Sequence, residues 1–294
     1  MILVAGGTGV LGGAIVQRLL DAGRPVRVLS RDPARASRWR ERGAQVARGD
    51  LRDPPSLAAA CAGATHVVTT ANAFMGRGAE SVRATDVQGN RALIDAARAC
   101  GVSQFVFTSA IMPGRFRELD YFAAKLEIED YLRQSGLTWT ILRPAAFMET
   151  WAELIGGPLV RTGKTMVFGR GDTPANFVAI DNVADVAVMT LDDPGAFNTE
   201  VEIGGPENLT LNQVADIFER VTGRTATRKH LPAALMRVLG AVAGPFNPVF
   251  ARQVKAGALM ASTAAPFDPA PMLARYPVRL ITLEEWVRRH YANA

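Results

Sequence analysis

Two residues of the chain, Tyr121 and Lys125, are spaced for proton transfer. They stand four positions apart in a predicted helix, which places a phenol and an ammonium on one helix face. A nearby ammonium favours the phenolate and lowers the phenol pKa from about 10 towards neutrality. Such a tyrosine can exchange a proton with a carbonyl oxygen while a hydride moves to or from carbon, and Ser109, ending the preceding strand, could hydrogen-bond to the same oxygen. The alternative is an amphipathic-helix tyrosine, a surface lysine and a serine that only ends its strand.

A glycine turn near the N-terminus has the spacing of a phosphate-binding loop. Gly6, Gly9 and Gly12 follow a short apolar strand and precede a helix predicted over residues 10–22. The first glycine permits the tight turn, the second leaves room for a pyrophosphate, and the third lets the helix pack against the strand. The helix N-terminus then offers free N–H groups and the positive end of its dipole to the phosphates. The alternative, a turn that binds nothing, is disfavoured by this strand–turn–helix context.

The ends of the next two strands fit the adenosine half of a dinucleotide. The second predicted strand ends in Ser30 and Arg31, where an acid would bind a ribose 2′-hydroxyl and a base accommodates a 2′-phosphate. The arginine therefore favours NADP over NAD, the alternative being an ordinary surface arginine. Asp50, with Leu51 next to it, follows the third predicted strand, and its carboxylate either accepts from the adenine amino group or only shapes a turn.

The fourth predicted strand leads into three small residues, Thr70, Ala71 and Asn72. Small side chains there would let the nicotinamide ribose and the diphosphate lie against the backbone, the alternative being a loop without a ligand. In parallel sheets ligands bind beyond the carboxyl ends of the strands, so all these residues belong to one predicted edge.

The elements that must position these residues alternate between short apolar strands and helices. This alternation predicts an α/β fold with a Rossmann-type doubly wound parallel sheet and right-handed crossovers. The predicted strands cover residues 2–5, 26–30, 45–47, 66–70, 104–109 and 139–143, and the predicted helices cover 10–22, 33–42, 55–61, 79–100 and 121–135.

The alternation fades after about residue 148. Short strands are predicted at 166–168, 177–180 and 201–203, and helices at 181–190, 212–222, 232–261 with proline breaks, and 283–291. Thr210 is the expected N-cap of the second of these helices. We therefore predict a dinucleotide-binding domain over 1–148 and a smaller C-terminal substrate-binding cap over 149–294, partly interleaved with the sheet.

The composition excludes several classes of protein. The chain has 294 residues, 48% of them hydrophobic and 21% charged, as in ordinary globular proteins. Neither a bilayer-spanning run nor a basic leader is visible, so we expect a cytoplasmic protein with no membrane partner, either a monomer or a homodimer.

The net charge of +5 includes arginines crowded between residues 24 and 52, but acids dilute them, and nucleic acid is not an expected partner. Two cysteines and three distant histidines give no ligand spacing, so no metal site is predicted.

Together these motifs resemble the short-chain dehydrogenase/reductase superfamily, and most closely its atypical NmrA-like, NAD(P)-binding branch. The resemblance covers nearly the whole chain. It rests on seven segments, at residues 6–12, 30–33, 49–51, 121–125, 142–144, 177–185 and 209–215.

The resemblance implies roles for single residues. Thr8, Val10 and Leu11 would supply backbone near the phosphates beside the three glycines, Arg31 would bind the 2′-phosphate, and Lys125 would contact the nicotinamide ribose. Some members of the branch are redox-sensing regulators without turnover, whereas the presence of Tyr121 favours catalysis.

The sequence therefore predicts an NADP(H)-dependent oxidoreductase. Tyr121 would be the proton donor, Lys125 would tune it, and Ser109 would polarise the substrate oxygen. The alternatives are an NADP-binding redox sensor and a sugar-nucleotide epimerase. Five apolar residues are candidate walls of the substrate pocket: Phe74, Met75, Phe147, Met148 and Trp151. If they line it, the substrate is a small and largely apolar carbonyl, quinone or alkene compound. The alternative for each of them is a place in the core.

Overall fold

The computed structural model describes residues 1–292, which fall into two compact units. The first unit contains residues 1–110, 120–143 and 183–202, and the second contains 111–119, 144–182 and the chain from 203 onward. The strands are β1 (Ile2–Ala5), β2 (Val26–Ser30), β3 (Gln45–Arg48), β4 (His66–Thr69), β5 (Gln104–Thr108), β6 (Trp139–Pro144), β7 (Ala146–Phe147), β8 (Lys164–Phe168), β9 (Ala175–Val178), β10 (Thr199–Ile203), β11 (Asn208–Leu209) and β12 (Thr227–Leu231). The α-helices are α1 (Val10–Asp21), α2 (Ser37–Glu41), α3 (Pro54–Cys61), α4 (Asn90–Ala99), α5 (Asp120–Arg133), α6 (Met148–Thr162), α7 (Ile180–Met189), α8 (Leu211–Thr222), α9 (Ala233–Ala243), α10 (Pro248–Met260), α11 (Ala270–Arg275) and α12 (Leu283–Tyr291).

A seven-stranded parallel sheet organises the first unit. Its strand order is β10-β6-β5-β4-β1-β2-β3. Strand β1 lies between β2 and β4, parallel to both, with Ala5 paired to Leu29 and to Thr69. The chain therefore reverses its direction of strand addition at β1, which is the switch point where doubly wound sheets bind ligands. The predicted fold class is confirmed.

The inner strands of this sheet are apolar because helices cover both of its faces, whereas the edge strands β3 and β10 are partly exposed. Leu3, Val67 and Phe105 come from three adjacent strands and are fully buried with Leu93 of α4 and Ile128 of α5. Continuous burial explains why the inner strands appear in the sequence as unbroken apolar runs rather than as alternating ones.

One predicted helix of the first unit is divided into three parts. The segment predicted over 79–100 contains a 3₁₀ turn at Gly78–Glu80, a π-helical stretch at Arg83–Gly89, and then α4. Wider π-helical turns recur at functional sites because they shift side chains relative to a regular helix. Here the shift places Asp86 in the interior, where it is buried.

The second unit has a separate core built around α6, α8 and α12. Ile155 of α6, Phe218 of α8 and Val287 of α12 are fully buried together with Phe177 of β9. Thr210 caps α8 in the predicted way: its hydroxyl accepts from the Gln213 amide at 3.2 Å, and the Gln213 side chain accepts from the Thr210 amide at 2.8 Å.

Two further properties concern residues 1–292 only. Within that range no helix is long and apolar enough to cross a bilayer. The same range contains no group of three or more His, Cys, Asp or Glu side chains arranged to hold a metal ion.

Candidate functional site

The glycine turn joins β1 to α1 at the switch point. Gly6 has a φ of +89°, a conformation that glycine adopts without strain, and its carbonyl accepts from the Gly9 amide at 2.9 Å. A Cβ on Gly12 would lie 2.2 Å from the Gly6 oxygen, whereas one on Gly9 would meet only that oxygen, at 3.2 Å. Gly12 is therefore needed for packing, and Gly9, at the N-cap of α1, leaves the helix N-terminus open. Thr8 is half-buried, Val10 is exposed and Leu11 is buried around this opening.

A tryptophan of α2 holds the glycine turn in place. The Trp39 indole nitrogen donates to the Gly7 carbonyl at 2.9 Å in a buried position, and the Arg38 guanidinium lies 4.1 Å from the Trp39 ring centroid. The sequence shows Trp39 only as an aromatic residue among arginines. Its hydrogen bond to the turn depends on how α2 packs, which residue spacing does not reveal.

Thr70 and Ala71 lie beside the turn, as predicted for the neighbouring strand end. The Thr70 amide donates to the Ala5 carbonyl at 2.9 Å, and the Thr70 hydroxyl oxygen lies 2.5 Å from where a Cβ on Gly6 would be. Asn72, one position on, is exposed and its side-chain oxygen accepts from the Phe74 amide at 3.3 Å.

The ends of β2 and β3 carry a cluster of opposite charges. Arg31 pairs with Glu80 of the 3₁₀ turn, and both side chains are about half exposed. Arg52 donates to the Asp50 carboxylate at 2.6 and 3.0 Å and to the Ala79 carbonyl at 3.0 Å. The Arg52 hydrogen bonds hold the pKa of Asp50 below its usual range, against the effect of partial burial. The 3₁₀ turn is thus tied to both strand ends.

Ser30 and Leu51 are buried at the ends of β2 and β3. The Ser30 hydroxyl is buried and donates to the Asp32 carbonyl at 2.6 Å, so it shapes the turn that carries Arg31. Leu51 is buried, and its Cβ lies 2.7 Å from where a Cβ on Gly89 would be, so it packs closely against the π-helical stretch.

Lys125 is buried at the carboxyl end of β5. Its ammonium donates to the Thr108 carbonyl at 3.1 Å and lies 3.6 Å from the Asp86 carboxylate, and only 3% of the Lys125 side chain is exposed. Asp86 also accepts from the Ala73 amide at 2.8 Å, so it links the loop after β4 to α5. Burial lowers the pKa of Lys125, and the charges of Asp86 and Glu129 oppose that shift. Asp86 has no recognisable signal in the sequence, because a π-helical stretch positions it.

Tyr121 and Lys125 lie together, as their spacing predicts. The Lys125 ammonium is 5.4 Å from the Tyr121 ring centroid and 4.9 Å from that of Phe107, distances typical of cation–π contacts. Phe74 meets the Tyr121 ring edge-on, with centroids 5.1 Å apart. Lys125 therefore contacts the face of the phenol ring while it hydrogen-bonds to Thr108.

Ser109 lies in the interior beside an ion pair. Its hydroxyl oxygen is buried without a hydrogen bond of ordinary geometry, yet it is close enough to Glu129 to help lower the pKa of that carboxyl. Glu129 is fully buried and accepts from Arg143 at 2.5 and 3.1 Å and from Arg133 at 2.8 Å. Burial raises the pKa of Glu129, and these arginines with Ser109 outweigh it. The predicted role of Ser109 towards a substrate stays a prediction.

The candidate pocket walls differ in their surroundings within each unit. Met75 is exposed, whereas Met148 is 1% exposed and belongs to the core of the second unit. Trp151 packs edge-on against Phe168 with ring centroids 6.1 Å apart. Met148 is therefore a core residue, and Phe74 is the candidate wall that contacts Tyr121.

The buried Asp86–Lys125 pair is expected to contribute to the free energy of unfolding. Replacing Asp86 by asparagine removes the nearer counter-charge of a buried ammonium and is expected to lower the free energy of unfolding by about 3 kcal/mol at pH 7. Because the folded pKa of Lys125 lies below its unfolded value, the unfolded chain binds the extra proton, and stability rises with pH between those values. Asp86→Asn lowers the folded pKa further and should steepen that rise.

Denaturant unfolding at pH 7 and at about pH 9.5 measures both effects. Asp130→Asn is the matched control, because Asp130 pairs with Arg133 at the surface, where ion pairs contribute less than about 1 kcal/mol. Equal losses for the two variants would contradict a buried Asp86–Lys125 pair.

Comparisons with known proteins agree with the fold and with the motifs. The model of the NmrA-like family matches residues 1–273. An NAD(P)H azoreductase from Xenophilus azovorans is 31% identical over 76% of this chain and 74% of its own length. The photosystem II assembly factor Ycf39 of a Synechocystis strain is 26% identical over 99% of this chain and 91% of its own.

Solved structures show the same fold. The NADPH-dependent quinone oxidoreductase of Escherichia coli, in complex with NADPH, superposes with a TM-score of 0.81 at 23% identity, covering 98% of this chain and 99% of that one. The triphenylmethane reductase of a Citrobacter species, complexed with NADP(H), gives 0.76 at 21% identity, covering 98% and 99% of the two chains. The family match over most of the chain, the azoreductase relative and the motifs agree, and the chain belongs to the NmrA-like family.

Proposed function

We propose that this protein is an NADP(H)-dependent oxidoreductase that binds its cofactor at the carboxyl edge of the parallel sheet in the first unit. The observation that carries the proposal is the glycine turn. It is closed by packing at Gly12 and open at Gly9, and it lies at the switch point between β1 and β4. An open helix N-terminus at that point fits a pyrophosphate.

The residues around this edge fit an NADP molecule in order along the sheet. Backbone of the turn and of α1 would hold the pyrophosphate, and Arg31 would pair with the 2′-phosphate. Asp50 would accept from the adenine amino group, and Thr70, Ala71 and Asn72 would lie along the ribose and diphosphate. When bound, the cofactor supplies a hydride. The proposed pyrophosphate contacts are Gly6, Thr8, Gly9, Val10, Leu11 and Gly12.

The protein's own part in the chemistry is proton transfer from Tyr121. The Lys125 ammonium lies over the phenol ring, and a positive charge there favours release of the phenol proton to a substrate oxygen. Lys125 is held by Thr108 and Asp86, so its charge stays in place as the proton moves. Phe74 lies against the same ring and would present an apolar surface to a substrate.

The substrate class we propose is a small, largely apolar molecule with a carbonyl, quinone or alkene group. The apolar ring of Phe74 beside Tyr121 supports it. The names of relatives and neighbours, which include an azoreductase, a quinone oxidoreductase and an isoflavone reductase, point in the same direction.

Turnover with a substrate panel tests the proposal. Purified protein should oxidise NADPH faster than NADH with at least one member of a set of quinones, azo dyes and apolar carbonyl compounds, as followed by absorbance. Tight NADPH binding without turnover on any member would instead favour a redox-sensing or assembly role, as the relatives named assembly factors illustrate. Turnover of a sugar nucleotide alone would favour an epimerase.

Substitutions in the Arg31–Glu80 pair are expected to change the preference for NADP over NAD. Arg31→Ala should raise the Kd for NADP by about tenfold or more and leave that for NAD nearly unchanged, because one charge-assisted contact to the 2′-phosphate is lost. Glu80→Gln should lower the Kd for NADP by about threefold, since it removes a carboxylate that competes for Arg31. Isothermal titration with both nucleotides measures these changes.

Arg42→Ala is the control for this pair of variants, because Arg42 forms a comparable surface pair with Asp21 at 2.6 Å away from the strand ends. Equal effects of Arg31→Ala on NADP and NAD would place the 2′-phosphate elsewhere.

A further inference from the structure

An apolar stripe on α9 faces solvent. Leu235, Val238, Leu239 and Val242 follow the spacing i, i+3, i+4 and i+7, which places them on one helix face, and all four are exposed, Val238 by 59% and Val242 by 66%. The opposite face of α9 is already used, because Met236 and Gly240 are buried. A Cβ on Gly240 would lie 3.1 Å from the Lys255 side chain of α10, so the two helices form a closely packed hairpin.

Two exposed phenylalanines lie at the tip of the hairpin that follows this stripe. Phe246 lies between α9 and α10 and is 88% exposed, and Phe250 in the first turn of α10 is 42% exposed. Single exposed apolar residues are ordinary, but a contiguous set marks a surface that another apolar phase covers. We call the set Leu235, Val238, Leu239, Val242, Phe246 and Phe250 the hairpin face.

The charged residues of the hairpin itself have one sign. Residues 231–267 contain three Lys or Arg and no Asp or Glu, although the chain as a whole has 28 acidic residues, and of the three only Arg252 is buried. Arg237 on α9 and Lys255 on α10 are exposed. The Lys255 stem packs against Gly240, an arrangement in which a cation can reach a polar surface while its stem lies along apolar groups.

This charge pattern decides between possible occupants. A two-fold dimer through the hairpin face would bring Arg237 and Lys255 of both copies together, with no acid in residues 231–267 to pair with them. An anionic lipid surface matches both properties at once, since it offers an apolar layer beneath negatively charged headgroups.

We propose that the hairpin face binds an anionic membrane surface, with α9 and α10 lying in the plane of the interface. At 11 and 13 residues neither helix can span a bilayer, so the contact is peripheral. The sequence predicts no membrane partner because the expectation rested on spanning segments and leaders, and an in-plane hairpin has neither signature. The proposal goes beyond the oxidoreductase activity and is independent of it.

Sedimentation with vesicles tests the proposal. The whole protein should co-sediment with vesicles of three parts phosphatidylcholine to one part phosphatidylglycerol. It should bind pure phosphatidylcholine vesicles much more weakly, and lose most binding at about 0.5 M NaCl. Failure to bind the anionic vesicles at low salt would overturn the proposal.

Two double variants separate the apolar and the electrostatic contributions. Val238→Glu with Phe246→Glu should reduce the partition coefficient at least about tenfold, because two charges would enter the apolar layer. Leu235→Glu alone should also weaken binding, and Leu154→Glu is its matched control, since Leu154 on α6 is 46% exposed and Leu235 on α9 is 45% exposed. Arg237→Gln with Lys255→Gln should weaken binding about fivefold per cation, and Lys164→Gln, at an exposed position of β8, should not.

Circular dichroism and NADP binding report whether each variant stays folded. Vesicle binding that the Val238/Phe246 variant retains in full would overturn the proposal. So would a concentration-dependent dimer that this variant abolishes without any vesicle binding by the parent protein, because the face would then belong to a second copy.

Discussion

Replacing Tyr121 by phenylalanine is expected to lower kcat by about 10²- to 10⁴-fold, the usual contribution of a positioned general acid. The Kd for NADP should change by less than about threefold, because the substitution removes one hydroxyl and keeps the ring that contacts Phe74 and Lys125. The measurement is steady-state turnover with the best substrate of the panel, together with titration of NADP.

Tyr131→Phe is the matched control for Tyr121→Phe. Tyr131 lies on the same helix, and its hydroxyl donates to Asp95 at 2.8 Å at the surface, so its loss should leave kcat unchanged. Unchanged turnover in Tyr121→Phe would remove Tyr121 from the mechanism while leaving the cofactor site as proposed. A loss of both NADP binding and folding would show instead that Tyr121 has a structural role.

The first unit could be predicted in detail because the inner strands of its sheet, β1, β2, β4, β5 and β6, are buried on both faces, whereas the edge strands β3 and β10 are partly exposed. β1 and β2 begin and end where the apolar runs do, and the other strands of the sheet differ from prediction by two residues or fewer at either end. Parallel strands covered by helices leave a signal that local sequence carries without knowledge of tertiary contacts.

The sequence does not predict helix α6, and the reason is physical. It contains Gly156, Gly157 and Pro158, residues that usually end helices. The structure shows why one of them is present, because a Cβ on Gly156 would lie 2.1 Å from the Phe218 ring of α8. Close helix packing therefore required a glycine, and a tertiary contact outweighed the local preference.

The candidate site also contains residues that the sequence predicts and residues that it does not. Residues that act through backbone or position, such as Gly6, Gly12 and Thr70, follow from strand ends and could be predicted. Asp86 could not, because it lies 39 positions from Lys125 in the sequence and reaches it through a π-helical stretch. Long-range pairs of buried charges leave no periodic signal, so only the structure reveals them.

Substitution by alanine is expected to have different effects at Gly12 and at Gly9 of the turn. Gly12→Ala would place a Cβ 2.2 Å from the Gly6 oxygen and 2.7 Å from the Thr70 hydroxyl, and the nearest of these atoms is backbone that cannot move aside. We expect a loss of about 3 kcal/mol or more of unfolding free energy, with NADP binding lost alongside it.

Gly9→Ala should leave the fold intact and still weaken cofactor binding. Gly9 has φ −84° and ψ 179°, torsions that alanine adopts readily, and its Cβ would meet only the Gly6 oxygen. The melting temperature should therefore change little, whereas the Kd for NADP should rise at least about tenfold, because the methyl group stands at the N-cap where a phosphate must approach. Thermal unfolding and NADP titration on the two variants separate the roles. Wild-type NADP affinity in Gly9→Ala would move the pyrophosphate away from α1, and wild-type stability in Gly12→Ala would contradict the packing of the turn.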